Sequence, residues 1–112
     1  MSGEDANALL DRLFRTEART LGARLARAFG PRHLAEVDDI VQDTLLRALQ
    51  RWPFDGIPDN PSAWLWRVAR NRALDLIRRG KTFADKRPIL EAQIETALPA
   101  AADVRFAEEL AD

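Results

Sequence analysis

Cysteine and tyrosine are absent from these 112 residues, and histidine and methionine occur once each. Without cysteine there is no disulfide framework and no thiolate metal site, and a cytoplasmic location is the expectation. His33 stands at the start of a helical pattern with no serine or cysteine to pair with, so nucleophilic catalysis has no evident machinery. No glycine-rich phosphate loop occurs, no segment repeats, and no stretch alternates as a strand would. No apolar run approaches the roughly 20 residues of a membrane span. The opening MSGEDANALL lacks the basic start and apolar middle of a secretory signal. What is present is a chain with 46% hydrophobic and 31% charged residues, the balance of a soluble domain able to build one core. No cofactor is expected.

The formal net charge of −1 hides a segregation. Leu34–Gln50 carries Glu36, Asp38, Asp39 and Asp43 against Arg47, a net −3. Pro61–Lys81 carries Arg67, Arg70, Arg72, Arg78, Arg79 and Lys81 against Asp75, a net +5. Asp85–Asp112 holds seven acids against Lys86, Arg87 and Arg105, a net −4. A basic segment between acidic ones points to an anionic partner for that segment alone.

The periodicity predicts an all-α fold, a compact bundle of three main helices over about 5–29, 34–52 and 61–79. The first carries Leu9, Leu10, Leu13, Phe14, Leu21, Leu25 and Ala28 at helical spacing, with Glu17 an unexplained acid inside the stripe. Gly30-Pro31 stops it. The second runs from Leu34, with a core stripe of Leu34, Val37, Val41, Leu45, Ala48 and Trp52, and is expected to stop before Pro53. The third opens with Asn60 as N-cap and Pro61 at its first position, and ends near Arg79-Gly80. Beyond Lys81 the pattern weakens. Ile89, Leu90, Ile94 and Leu98 would allow one short amphipathic helix, and Pro99 with an alanine run reads as linker.

On a wheel of about 100° per residue, the third helix gathers Leu65, Trp66, Ala69, Ala73, Leu76 and Ile77 on its core side. Trp64, Arg67, Asn71 and Arg78 fall opposite. Asparagine can bond base edges in pairs, arginines can neutralise phosphates, and an exposed indole can stack on an unpaired base. The plain alternative is a solvated basic face, with Trp64 folded onto the Phe54–Pro58 loop. On the second helix, Asp39, Gln42, Asp43 and Gln50 surround Leu46 on the outer side, an acidic patch with an apolar centre that suits a protein partner better than phosphates. The Asp38-Asp39-Ile40-Val41-Gln42-Asp43 run also has the form of a DDxxxD magnesium motif. Enzymes that use it need a large helical cavity and a second metal-binding cluster, and this chain has neither. The expectation is a non-enzyme with no metal site.

The run VDDIVQDTLLRALQRW (Val37–Trp52), followed by NPSAWLWRVARNRALDLIRR, resembles region 2 of bacterial RNA polymerase sigma factors. The likeness is closest to the extracytoplasmic-function group of the sigma-70 family and covers about Leu9–Lys81. It implies a transcription initiation module that binds core RNA polymerase and recognises and melts the promoter −10 element. The helix matching Leu34–Trp52 then packs on the clamp helices of the polymerase β′ subunit through Asp38, Asp39, Gln42, Asp43, Leu46 and Leu49. The loop residues Phe54, Asp55, Gly56, Asn60 and Ser62 hold a flipped base of the non-template strand. Trp64 matches an aromatic at the upstream edge of melting, Asn71 a base-reading position, and Arg67 and Arg72 backbone contacts; the wheel adds Arg78. An anti-sigma factor is a further partner that the family admits, and the location implied is the bacterial cytoplasm, on the nucleoid when polymerase is bound.

The chain departs from the family in three places. It stops at Asp112 without the usual helix-turn-helix domain, which leads us to expect a truncated chain, with 1–81 as the sigma domain and 82–112 as an acidic linker or short helix toward that domain. It has Trp64-Leu65 where primary sigma factors have a tryptophan pair, which implies weak melting on its own. Its loop region carries Pro53, Pro58 and Pro61, which bears on the shape of a base pocket. A second reading is a non-catalytic helical interaction domain that uses the acidic face and never touches DNA.

Overall fold

The computed structural model of the chain describes residues 3–98, and within them the side chains of residue 8, residues 11–80 and residues 83–98. Among the described residues the fold has four α-helices: α1 Gly3–Phe29, α2 Leu34–Asp55, α3 Pro61–Arg79 and α4 Arg87–Ala97. Short 3₁₀ segments at Pro31–His33 and Lys81–Lys86 join α1 to α2 and α3 to α4. Leu9 and Leu10 of the expected α1 stripe lie outside the described side chains, as does the Pro99 linker.

The local sequence sets most of the helix ends. Gly30 leaves α1 with φ +89°, and its N–H closes on the Ala26 carbonyl at 2.8 Å before Pro31 turns the chain. At α3, the Asn60 side chain accepts from the Ala63 N–H at 3.1 Å and Pro61 follows, as expected. The end of α2 differs from the expectation. Pro53 sits inside the helix, which continues to Asp55. A proline removes one N–H and crowds the carbonyl four residues back. Here that disturbance falls in an exposed last turn. The helix is instead closed by Gly56, at φ +86°, whose N–H bonds the Trp52 carbonyl at 2.8 Å. Phe54 and Asp55 are therefore helical rather than part of a loop.

Each helix packs on its neighbours in sequence, and α4 closes back onto α1. The core between them takes Leu21, Leu25 and Phe29 from α1, Val37, Ile40, Val41, Ala48 and Trp52 from α2, and Leu65, Trp66, Ala69, Ala73, Leu74 and Ile77 from α3. Phe83, Leu90, Ile94 and Leu98 complete it. The all-α bundle is as expected, but its short last helix is a full wall of the core. The Arg24 guanidinium lies 4.5 Å from the Trp66 ring centroid and donates to the Ala97 carbonyl at 2.9 Å, which ties the end of α4 to α1 and α3.

Three positions of the expected stripes are corrected. Leu34 is exposed, because the covered part of α2 starts one turn later at Val37. Ile89 is exposed while Leu90, Ile94 and Leu98, four apart, turn inward. Leu76 is only half-buried and Leu74 takes the interior place. Thr44 is fully buried without penalty because its hydroxyl donates to the Ile40 carbonyl at 2.7 Å.

Candidate nucleic-acid interface

The outer side of α3 presents Arg67, Asn71, Arg72, Arg78 and Arg79 to solvent. Most of its cations are already partnered. Arg70 reaches Glu95 at 3.7 Å and Arg78 reaches Glu91 at 3.2 Å, both on α4. Arg72 lies 4.0 Å from Asp43 on α2, and Arg79 lies 3.0 Å from Asp75 one turn back. Among the described residues Arg67 forms no ion pair. Glu91 also bonds Arg87 at 3.2 Å. That guanidinium, with Arg78 beside it, holds the Glu91 carboxyl below its ordinary range against a smaller opposing effect of desolvation. The charge segregation read from sequence is real, but acids from two neighbouring helices and from α3 itself dress the basic helix.

Asn71 and Arg72 meet at a polar cleft between α2 and α3 of about 410 Å³, completed by Arg47, Val68 and Asp75. Arg47 was not among the expected site residues; its signal in the sequence was its place as the one base within the acidic run Leu34–Gln50.

Trp64 does not stand free with Arg67, as the wheel placed it. It is half-buried, edge-on to Trp52 with ring centroids 5.4 Å apart, and Trp52 in turn lies 5.6 Å from Phe14. Trp52, the last position of the expected α2 stripe, lies alongside the first turn of α3. Phe54 has lost any such cover and is 89% exposed, with Ile57 exposed beyond it. Asp55 pairs with Arg51 at 3.2 Å. Ser62 turns inward, its hydroxyl donating to Glu17. The connection at this end of the bundle, Gly56–Asn60, thus runs from a helix end bearing Phe54 to a helix start bearing Trp64.

On α2, Asp38, Asp39, Gln42, Asp43, Leu46 and Leu49 are all exposed. Gln42 Nε2 donates to Asp38 Oδ2 at 2.9 Å. Leu46 and Leu49 are 52% and 57% exposed, so the patch has two apolar side chains at its centre. No group of three His, Cys, Asp or Glu side chains among the described residues could hold a metal ion. No described helix is long and apolar enough to cross a membrane.

The bundle thus carries an acidic face with exposed leucines on α2 and a basic, asparagine-bearing face on α3. The family described as Sigma-70 region 2 matches residues 13–83 of this chain, the span that holds both faces, and the chain belongs to that family. A curated relative, the uncharacterized protein R00370 of Rhizobium meliloti (strain 1021), is 42% identical over 48 residues. That stretch is 43% of this chain and 11% of the relative, so the likeness spans about a tenth of that protein. No solved structure matches at a significant level.

Proposed function

We propose that the chain is the region 2 module of an extracytoplasmic-function sigma factor, which docks core RNA polymerase and recognises and melts the promoter −10 element. The observation that carries this reading is the family match over residues 13–83, the span in which both exposed faces lie. On this reading α2 meets the β′ clamp helices through Asp38, Asp39, Gln42, Asp43, Leu46 and Leu49. Asn71 reads a base edge, Arg67, Arg72 and Arg78 hold the strand's phosphates, and Trp64 offers its open edge to an unpaired base. Phe54, Asp55, Gly56, Asn60 and Ser62 bound the loop that receives a flipped base, Ser62 by anchoring it from within. Extruding a base costs a few kcal/mol. A stacked ring, a loop pocket and several phosphate contacts offset that once polymerase holds the strand in place.

The test is capture of core RNA polymerase by the chain, alongside its affinity for a single-stranded −10 oligonucleotide. Asp39→Arg with Asp43→Arg should abolish capture; undiminished capture removes α2 from the polymerase face. Asn71→Ala should flatten base preference, and an unchanged preference denies Asn71 its reading role. The partnering of four α3 arginines with acids favours the second reading, an interaction domain that never touches DNA. That reading predicts no salt-dependent DNA binding at all.

A further inference from the structure

Glu17 is the acid that interrupts the apolar stripe of α1, and it is 8% exposed. Its Oε1 accepts a hydrogen bond from the hydroxyl of Ser62, 45 residues away in the first turn of α3. Its Oε2 has no hydrogen-bond partner among the described residues. Burying a carboxylate with one oxygen unmatched opposes folding. A leucine would continue the stripe without that penalty, so the site is not optimised for stability.

The bond fixes one particular place. α1 packs mainly on α2 and α4 and touches α3 little. Glu17 to Ser62 is a direct polar tie from α1 to the start of α3. One turn earlier on α1, Phe14 lies against Trp52, which packs against Trp64. A single turn of α1 thus grips both ends of the Gly56–Asn60 connection: Phe14 holds the α2 side and Glu17 the α3 side. Asn60, capping α3 two residues before Ser62, is held in the same register.

We propose that Glu17 is a positioning residue for strand recognition: through Ser62 it fixes the first turn of α3 so that the loop and Trp64 are held in the geometry that receives an unpaired base. The inference rests on the sigma reading above and deepens it. Glu17 itself touches no DNA. A preformed loop has less freedom to lose on binding a strand, and removing the tie returns that loss to the binding step.

The experiment uses the chain bound to core RNA polymerase, with affinity for a single-stranded −10 oligonucleotide measured across salt. Ser62→Ala and Glu17→Leu should each weaken binding by about tenfold, the weight of one hydrogen bond to a charged group. The double variant should be no weaker than either alone, because one link has been cut. Glu17→Gln, which keeps a carbonyl acceptor for Ser62, should bind within about twofold of the parent, since the tie is preserved. The dependence on salt should be unchanged in all of them, since no phosphate contact is lost. Polymerase capture should be retained.

Parent-like binding by Ser62→Ala and Glu17→Leu, with the parent binding strand and polymerase, overturns the positioning role and leaves the sigma reading standing. Should Glu17→Leu fail to fold, Ser62→Ala alone decides. A steepened or flattened salt dependence in Ser62→Ala also overturns it, because Ser62 would then be altering phosphate contacts. A parent that captures no polymerase and binds no strand removes the sigma reading, and this inference with it.

Discussion

Replacing Gly56 by alanine tests the joint between α2 and the loop. Gly56 has φ +86° and ψ 159°, a corner of the backbone map essentially restricted to glycine. A Cβ built there would meet nothing within 4 Å, so steric crowding contributes nothing and the whole effect is backbone conformation. Holding a non-glycine residue in that region costs about 1–3 kcal/mol. Alanine also stiffens the unfolded chain, which returns about 0.4–1 kcal/mol. The net loss is about 1–2 kcal/mol, and at about 4–8 °C per kcal/mol for a domain of this size the melting temperature falls by about 5–15 °C. Thermal unfolding followed by far-ultraviolet circular dichroism measures it. Gly22→Ala is the matched control. Gly22 lies in α1, a Cβ there is equally unobstructed, and the substitution should stabilise by about 0.5–1 kcal/mol. Relaxation at residue 56 also loosens its bond to the Trp52 carbonyl, so strand affinity should fall along with stability. A Gly56→Ala variant that melts at or above the parent would refute the left-handed closure of α2 and the loop geometry built on it.

Glu91→Gln with Glu95→Gln releases Arg78 and Arg70, so affinity for a single-stranded oligonucleotide at low salt should rise by roughly three- to tenfold with a steeper salt dependence. Unchanged affinity would show that neither arginine meets phosphate. Glu91 also predicts a pH dependence. Its folded carboxyl titrates below the ordinary value of 4.5, so its contribution to stability is complete above that value and is lost as pH falls through the lower, folded one. The parent's melting temperature should therefore fall more steeply below about pH 4.5 than that of Glu91→Gln, and parallel curves would count against the Arg87 and Arg78 pairing. Ile94→Ala empties a fully buried site on α4 and should cost about 2–4 kcal/mol in denaturant unfolding, whereas an appended linker would lose almost nothing.

The helix ends that carry their own chemistry were legible in the sequence. Gly30-Pro31 and Asn60-Pro61 act within a turn of themselves, and both operate as read. Pro53 was misjudged because a proline's penalty depends on where in the helix it falls, and Gly56, three residues on, set the true end. Trp64 was misjudged separately, because a helix wheel treats α3 alone and cannot show that Trp52 of α2 lies beside Trp64. Leu34 and Ile89 were misassigned for a related reason, since periodicity gives a face but not how far along it the neighbours extend. Least legible were the polar links. Glu17 was visible as a misfit, yet its partner lies 45 residues away. The basic and acidic segments were visible as blocks, but which arginine meets which acid depends on how α4 closes on the bundle.

Those pairings bear on how the two faces act together. Asp43 belongs to the α2 patch and also to the Arg72 pair, so on the proposed reading a polymerase contact at Asp43 would release Arg72 for phosphate. Linkage makes the effect reciprocal, with strand binding at Arg72 favouring polymerase at Asp43. The structure bounds its size. The pair spans 4.0 Å with both side chains about half exposed, and such pairs contribute at most ~1 kcal/mol, a factor of about five. A fivefold coupling is too small to convert a chain that ignores DNA into one that opens it. The larger part of any activation must come from effective concentration. Polymerase that holds the strand beside α3 turns a weak bimolecular encounter into an intramolecular one, which is worth factors of about 10²–10⁴ without any new contact. Partnered arginines then act in the same direction. On the proposed reading they keep the free chain from binding nucleic acid at large through its basic helix, while exchanging acid for phosphate once the strand is brought within reach.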